Sequence, residues 1–331
     1  MGQKHDMANT ALEAMIHVLD LVPTDRVLVV TDAETATVAA AFHEAAVGHG
    51  CTVQTYTLPA EQRPLVDVPA ELSELLPGHS VVLNLIQARG EEVPFRIKWI
   101  LEIVATKTAR MGHAPGINEA MMIDGPLQVD YAAMADLAGR LMRAFADASS
   151  VHITTTAGTD LVLDIRDRSF LTDVKATVER GSNLPCGEVY CGPVETGADG
   201  VLLIDGTVAH LGQGNASVRL TIAAGSVEEV ECADELMQAQ VQRLMEVDSE
   251  ARIIGELGIG INPSARLVNN MLEDEKAFRT AHIAFGNNSE FPGGQNNSQV
   301  HHDFLFHRPT LTVTYKDGTR RILLENGDFR V

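Results

Sequence analysis

Two hydrophobic patterns succeed one another along this chain. In the first, short continuous apolar runs alternate with longer segments whose apolar residues recur at helical spacing. Residues 8–21, ANTALEAMIHVLDL, carry that helical spacing and stop before Pro23, so they predict a helix. RVLVVTD, residues 26–32, is a continuous apolar run as long as a strand buried on both faces. The Ala-rich TATVAAAFHEAAVGHG predicts a helix stopped by Gly48 and Gly50, and CTVQTYTL predicts the strand that completes a β-α-β unit. SVVLNLI adds a strand, FRIKWILEIVATKT a helix, ARMGHAPGINEAMM a turn-rich connection and VDYAAMADLAGRLMRAF a last helix. The expected fold of residues 1–148 is an open, doubly wound parallel α/β domain, Rossmann-like in outline.

After Ser149-Ser150 the pattern changes. VHITTTAGTDLVLDI, VLLIDGTV, SVRLTIAAG, EEVEC and TLTVTYKDGTRRILLENGDF are short runs rich in Val, Ile and Thr, punctuated by Gly, Asp and Asn. Such runs predict antiparallel strands, with Asp317-Gly318 as a hairpin turn and Asn326-Gly327 as another turn. ADELMQAQVQRLMEV interrupts them as a helix. Residues 149–331 are therefore expected to form a mainly antiparallel β domain, of the α+β kind.

Composition narrows the classes of function. A chain of 331 residues, 45% hydrophobic and 21% charged, is long enough for two cores and too apolar for disorder. Its formal net charge of −20 opposes association with nucleic acid or anionic lipid, which leaves small molecules and further copies of the chain as expected partners. Cys51, Cys186, Cys191 and Cys232 are too few and too irregularly spaced for a disulfide framework or a C-x-x-C zinc knuckle, which suits a reducing cytoplasm. The start, MGQKHDMANTALEAM, has no long apolar core, and no stretch reaches the roughly 18 apolar residues of a spanning helix. The first strand runs into Thr31-Asp32-Ala33-Glu34-Thr35, with no glycine-rich turn and with carboxylates where a phosphate would dock, so no dinucleotide site is expected. The Arg110–Gly116 connection brings a cation and an imidazole into what reads as a rigid turn.

The densest chemistry lies between Thr280 and Phe306. In an extended segment residues i and i+2 share a face, so His301 and Asp303 present a nitrogen and an oxygen side by side while His302 faces away. His282 sits in another short apolar run, and the FPGGQNN loop between the two can fold back so that they pair. Upstream, Glu188 follows a Pro/Gly turn and precedes an apolar strand, and Glu256 lies inside an apolar run with glycine on both sides. Carboxylates are rarely buried without a paired charge or a bound cation. Together Glu188, Glu256, His282, His301 and Asp303 form an oxygen-rich donor set with two nitrogens, suited to zinc, cobalt, manganese or iron(II), one or two ions per chain.

These residues fall in motifs that resemble the M29 metallopeptidases, the aminopeptidase T or thermophilic leucyl aminopeptidase family. The family's Pro-x-Gly-Glu-Val segment is similar to Pro185–Val189, its second Gly-Glu to Gly255-Glu256, its His-x-Ala-x-Gly to His282–Gly286, and its Asn-x-Ser-x-x-His-x-Asp to Asn296–Asp303. The order matches, over a chain shorter than the typical peptidases. The resemblance implies that Glu188, Glu256, His282, His301 and Asp303 ligate a dinuclear metal site in a homodimer that cleaves short peptides. Hydrolysis would run by metal-activated water, with Glu188 or Glu256 as the carboxylate that shuttles the proton if it is not a ligand. Ser289 departs from the pattern, standing where the family has a tyrosine. A ring-cleaving branch, the 2,5-dihydroxypyridine dioxygenases, is similar to the same superfamily and holds one iron(II) with two histidines and an aspartate, which here would be His282, His301 and Asp303. That branch lacks the first glutamate and has histidine at the second, whereas both acids are present here.

Overall fold

The computed structural model describes residues 2–331, with side chains from residue 7 onward. They fall into two compact units: the chain up to Ala132 with Asp173–Cys186, and Ala133–Thr172 with Gly187–Val331.

The first unit is built on a five-stranded parallel sheet in the order Thr52–Thr57, Arg26–Thr31, Val81–Leu85, Arg110–His113 and Ser182–Asn183. The strands Arg26–Thr31, expected to be buried on both faces, and Val81–Leu85 lie inside it, and every residue of them except Arg26 is buried. The helix Ala36–His49 turns Val38, Ala39, Phe42, Ala45 and Ala46 inward and ends at Gly50, whose φ of 105° is the left-handed conformation that favours glycine. The helix Val93–Ala105 buries Phe95, Trp99 and Ile103 against Leu28, Val30 and Val82 of the sheet.

The stretch from Arg110, expected as a turn, is instead a strand followed by the helix Glu119–Ile123. Four residues are too few to declare a period, and distant contacts hold them. The Arg110 guanidinium donates to the Leu19 and Asp20 carbonyls at 2.6 and 2.7 Å and to Asp25 at 2.6 Å. Gly112 leaves room for Leu184, which a Cβ there would meet at 2.6 Å. Likewise the strand Ser182–Asn183 joins this sheet from beyond residue 149, so the border between the units does not follow the change of texture.

At the carboxyl ends of the neighbouring strands Arg26–Thr31 and Val81–Leu85, where open α/β sheets bind ligands, a side chain of the protein fills the position. The Arg63 guanidinium, 1% exposed, pairs with Asp32 and with Glu92. Asp32 also accepts from the Gln87 and Thr35 amides at 2.7 and 3.1 Å, and Glu92 from the Leu65 amide at 3.0 Å. The expected lack of a dinucleotide turn at Asp32 has this physical content: the acid there is committed to an internal cation.

In the second unit an eight-stranded antiparallel sheet runs from Ser226–Cys232 at one edge to Asp328–Phe329 at the other. A seven-stranded sheet runs from Gly212–Gln213 to Leu171–Thr172, with His301–His307, Thr280–Gly286 and Ile254–Gly260 at its centre. The turns read from dipeptides form as expected. Gly318 has φ 85°, and Asn326 and Gly327 have φ 51° and 83°, the doubly left-handed geometry of a tight hairpin turn. The helix Glu235–Leu244 starts on Asp234, whose carboxylate accepts from the Leu236 and Met237 amides. All four cysteines are free thiols, and among the described residues no helix is long and apolar enough to cross a membrane.

Arg63→Met leaves two buried carboxylates without their cation and is expected to cost about 3–5 kcal/mol in a denaturant titration at pH 7. A loss below about 1 kcal/mol would show that Asp32 and Glu92 do not depend on it. Burial pushes both acids up, but the Gln87 and Leu65 amides and the Arg63 charge outweigh it and hold both below their ordinary values. The folded pKa is thus below the unfolded one, so this stabilisation is present above about pH 4 and lost as pH falls through the folded values. The wild type is expected to lose stability over that acid range more steeply than Arg63→Met, read as the difference between their unfolding midpoints at pH 7 and pH 3.

Candidate metal centre

The register of the seven-stranded sheet brings distant acids and imidazoles to one face. Glu256 pairs with Ala284, and Ala284 with Asp303, which makes one cross-strand row. The next row sets Tyr190, Gly258 and His282 abreast, and beyond it Gly260 stands beside Glu188. On the other side Gly286 pairs with His301. Glu188, Glu256, His282, His301 and Asp303 therefore each lie beside glycine or alanine on this face.

That spacing is a requirement of volume. A Cβ at Gly258 would lie 2.0 Å from the His282 Nε2, so only glycine lets the imidazole cross the neighbouring strand. Gly187, at φ 135°, turns the chain into the strand Glu188–Cys191, and its carbonyl accepts from the Ile261 amide at 2.8 Å. Gly255 sits where the register shifts between Ile254 and Glu256, a bulge in which a side chain would strike the Gly286 carbonyl at 2.7 Å. The opposite face carries Val189, Leu257, Ile259, Ile283, Phe285, Phe304 and Phe306, all buried.

The resulting cluster is tight. The His282 Nε2 lies 3.6 Å from a Glu188 oxygen, 3.6 Å from a Glu256 oxygen and 3.9 Å from Asp303 Oδ1. The His301 Nε2 lies 3.0 Å from Glu256 and 3.5 Å from Asp303 Oδ1. Two groups of donor atoms, Glu188-Glu256-His282 and Glu256-His301-Asp303, each close within 4.8 Å, and Glu256 belongs to both. Glu188, Glu256, His282 and Asp303 are buried, whereas the His301 side chain is 33% exposed and forms the open side. Asp303 Oδ1 is buried with no hydrogen-bond partner, and donors 3.5–3.9 Å from it are spaced for a shared cation rather than for hydrogen bonds to one another. The donor set fits one or two divalent ions.

Electrostatics agree. Burial works against charge on His282, but the carboxylate of Glu256, with Asp303 and Glu188 nearby, lifts it to about 9. His301 is raised too, by Asp303 and Glu256 against the same burial. Burial would raise Glu256 and Asp303, yet the two imidazoles hold both below the ordinary carboxylate range. The site thus draws in positive charge from whatever source is available. His301 Nδ1 lies 2.7 Å from the Asn287 carbonyl; a carbonyl only accepts, so Nδ1 carries the hydrogen and Nε2 is the atom turned to the acids.

His302 takes the opposite face, with its ring 5.8 Å from that of His210, and burial and the His210 charge depress it to about 4. The FPGGQNN loop folds back as expected, and its return is clamped by side chains. Asn288 and the Gln295 amide donate to Glu195, itself paired with Arg168, and Ser298 and the Gln299 amide donate to Asp248. Ser289 is exposed, its hydroxyl 2.9 Å from the Asn287 side-chain oxygen.

Residues that the sequence reading passed over complete the cluster. In the run Glu273-Asp274-Glu275-Lys276, the Lys276 ammonium is fully buried and lies 2.6 Å from Glu188 Oε1 and 2.7 Å from Glu275. Glu273 and Asp274 are buried as well. A mixed-charge run reads as a solvated surface, and the signal available was its position directly before the His282 strand.

Residues 133–329 match the profile of the family described as thermophilic metalloprotease (M29). Two solved structures are similar over nearly the whole chain. AmpT from Thermus thermophilus is 20% identical, covering 99% of this chain and 100% of its own, with a TM-score of 0.73. The 2,5-dihydroxypyridine dioxygenase from Pseudomonas putida KT2440 is 18% identical, covering 97% of each chain, with a TM-score of 0.73. At these identities the likeness establishes a shared fold. Among curated proteins none matches.

Gly258→Ala is expected to displace the His282 ring and weaken uptake of a divalent ion roughly 10–100-fold, measured by calorimetry on protein stripped with chelator. Retained affinity in a variant that is still folded would refute the glycine requirement.

Proposed function

The chain belongs to the thermophilic metalloprotease (M29) family, and from that membership and the geometry of the acid-imidazole cluster we propose that it is an aminopeptidase-like hydrolase that cleaves an amide bond of a short peptide or small amide. The proposed metal ligands are Glu188, Glu256, His282, His301 and Asp303, and the supporting observation is their convergence on one sheet face as two donor groups sharing Glu256. Zinc, cobalt, manganese and iron(II) all suit this donor set.

When bound, a divalent ion supplies Lewis acidity, which polarises an amide carbonyl and makes water a nucleophile near neutral pH. The residues do the rest. Glu256 stands between the two imidazoles, 3.6 Å from the His282 Nε2 and 3.0 Å from the His301 Nε2, and its charge keeps both nitrogens turned towards it. The Asn287 carbonyl fixes the ring of His301 from behind. Glu188 has one oxygen held by Lys276 and the other turned towards His282, and it is the acid proposed to take the proton from water and return it to the leaving amine. The Phe291 ring stands edge-on to His301 at 6.1 Å and 5.4 Å from Tyr190, an aromatic wall on the open side.

Iron(II) held by His282, His301 and Asp303 for ring cleavage is the competing reading. Glu188 and Glu256 stand inside the same cluster as further acids, beyond what a three-residue triad uses, and they support the hydrolase. A homodimer in the cytoplasm belongs to the same proposal: family membership supports the dimer, and four free cysteines suit a reducing compartment.

Removal of metal with chelator is expected to abolish hydrolysis of aminoacyl anilides, and Glu256→Gln to lower turnover by at least about a hundredfold. Hydrolysis that survives both, or oxygen uptake with a dihydroxypyridine and no amide cleavage, would overturn the proposal.

A further inference from the structure

The two donor groups of the cluster are unequal because one of them already faces a cation of the protein itself. The Lys276 ammonium, 0% exposed, lies 2.6 Å from Glu188 Oε1, and Glu188 belongs only to the Glu188-Glu256-His282 group. Resting on the metal-site reading above, we propose that Lys276 stands in for one of two metal ions: the chain binds a single ion tightly, at Glu256-His301-Asp303, and the Glu188 position is closed by the lysine.

Lys276 cannot easily leave. Its carbonyl accepts from the Asn262 amide at 2.9 Å, and its amide donates to the Glu273 carbonyl at 3.0 Å. Asn262 and Ala277 form a parallel bridge, and the Phe278 amide donates back to the Asn262 carbonyl at 3.2 Å. A Cβ at Gly260 would lie 2.0 Å from the Ala277 carbonyl oxygen, so this backbone is seated against the strand that carries Glu256. A buried ammonium with a fixed backbone stays beside its carboxylates, among them Glu188 and Glu275. It takes one Glu188 oxygen from the donor set and places a positive charge where a second divalent ion would have to approach. The Glu256-His301-Asp303 group holds no lysine-paired oxygen and contains the side chain most open to solvent.

The test is metal stoichiometry, independent of turnover. Protein stripped with chelator is titrated with cobalt(II) by calorimetry and assayed for cobalt per chain after gel filtration. The wild type is expected to retain one ion, and Lys276→Met to retain a second or to bind it at least tenfold more tightly. His301→Ala is expected to lose the single ion. Two ions of similar affinity in the wild type, or an unchanged count in folded Lys276→Met, overturns the inference while leaving the metallopeptidase reading intact. No cobalt uptake at all overturns both. Should Lys276→Met not fold, the wild-type count still decides.

Discussion

Three carboxylates held within a few ångströms of one another in a buried place repel each other strongly, and the second unit is arranged around the positive charge they demand. Glu188, Glu256 and Asp303 meet on one sheet face with little water to screen them. The protein supplies what cation it can: two imidazoles that hold protons far above their ordinary range, and the buried ammonium of Lys276. Divalent ions are the remaining source, and the same demand that lifts His282 would bind them. Metal chemistry is in this sense a consequence of where the sheet puts its acids.

The sheet can put them there only because the positions between are nearly empty. Gly258, Gly260, Ala284 and Gly286 alternate with the acids and imidazoles along and across three strands, while the reverse face is packed with Phe, Ile, Leu and Val. One face of the same strands is a core and the other a basin. A one-residue slip of register would exchange them, so the apolar face fixes the geometry of the polar one. The loop from Asn287 to Val300 holds no regular element, yet Glu195 and Asp248 pin it, and it delivers the Asn287 carbonyl that orients His301.

The first unit meets the same problem and answers it differently. Asp32 and Glu92 are buried at the end of a parallel sheet where such folds take ligands, and Arg63 fills the place. A guanidinium there is permanently charged and closes the crevice. In the second unit the acids face imidazoles, which give up their protons to a competing ion. The contrast between a fixed cation and exchangeable ones separates a structural charge cluster from a reactive one.

The sequence by itself determined the character of both halves, because apolar period is a local property: continuous runs for the parallel sheet, short Val/Ile/Thr runs with Gly and Asn turns for the antiparallel ones. It also singled out Glu188, Glu256, His282, His301 and Asp303, which the structure brings together, since an acid in an apolar run beside glycine is anomalous wherever it occurs, and strand alternation separated His302 from its neighbours. What only the tertiary structure decided are the features whose energy comes from partners far along the chain. Arg110–His113 and Ser182–Asn183 are strands because a sheet edge receives them, and they are too short to carry a pattern. Lys276 belongs to the site because Asn262 and Gly260 seat its backbone there, although its neighbours in sequence look like a wetted surface. The sequence can show that a charge is out of place, but not which distant charge it will meet, because that is set by the register and packing of strands far from it in the chain.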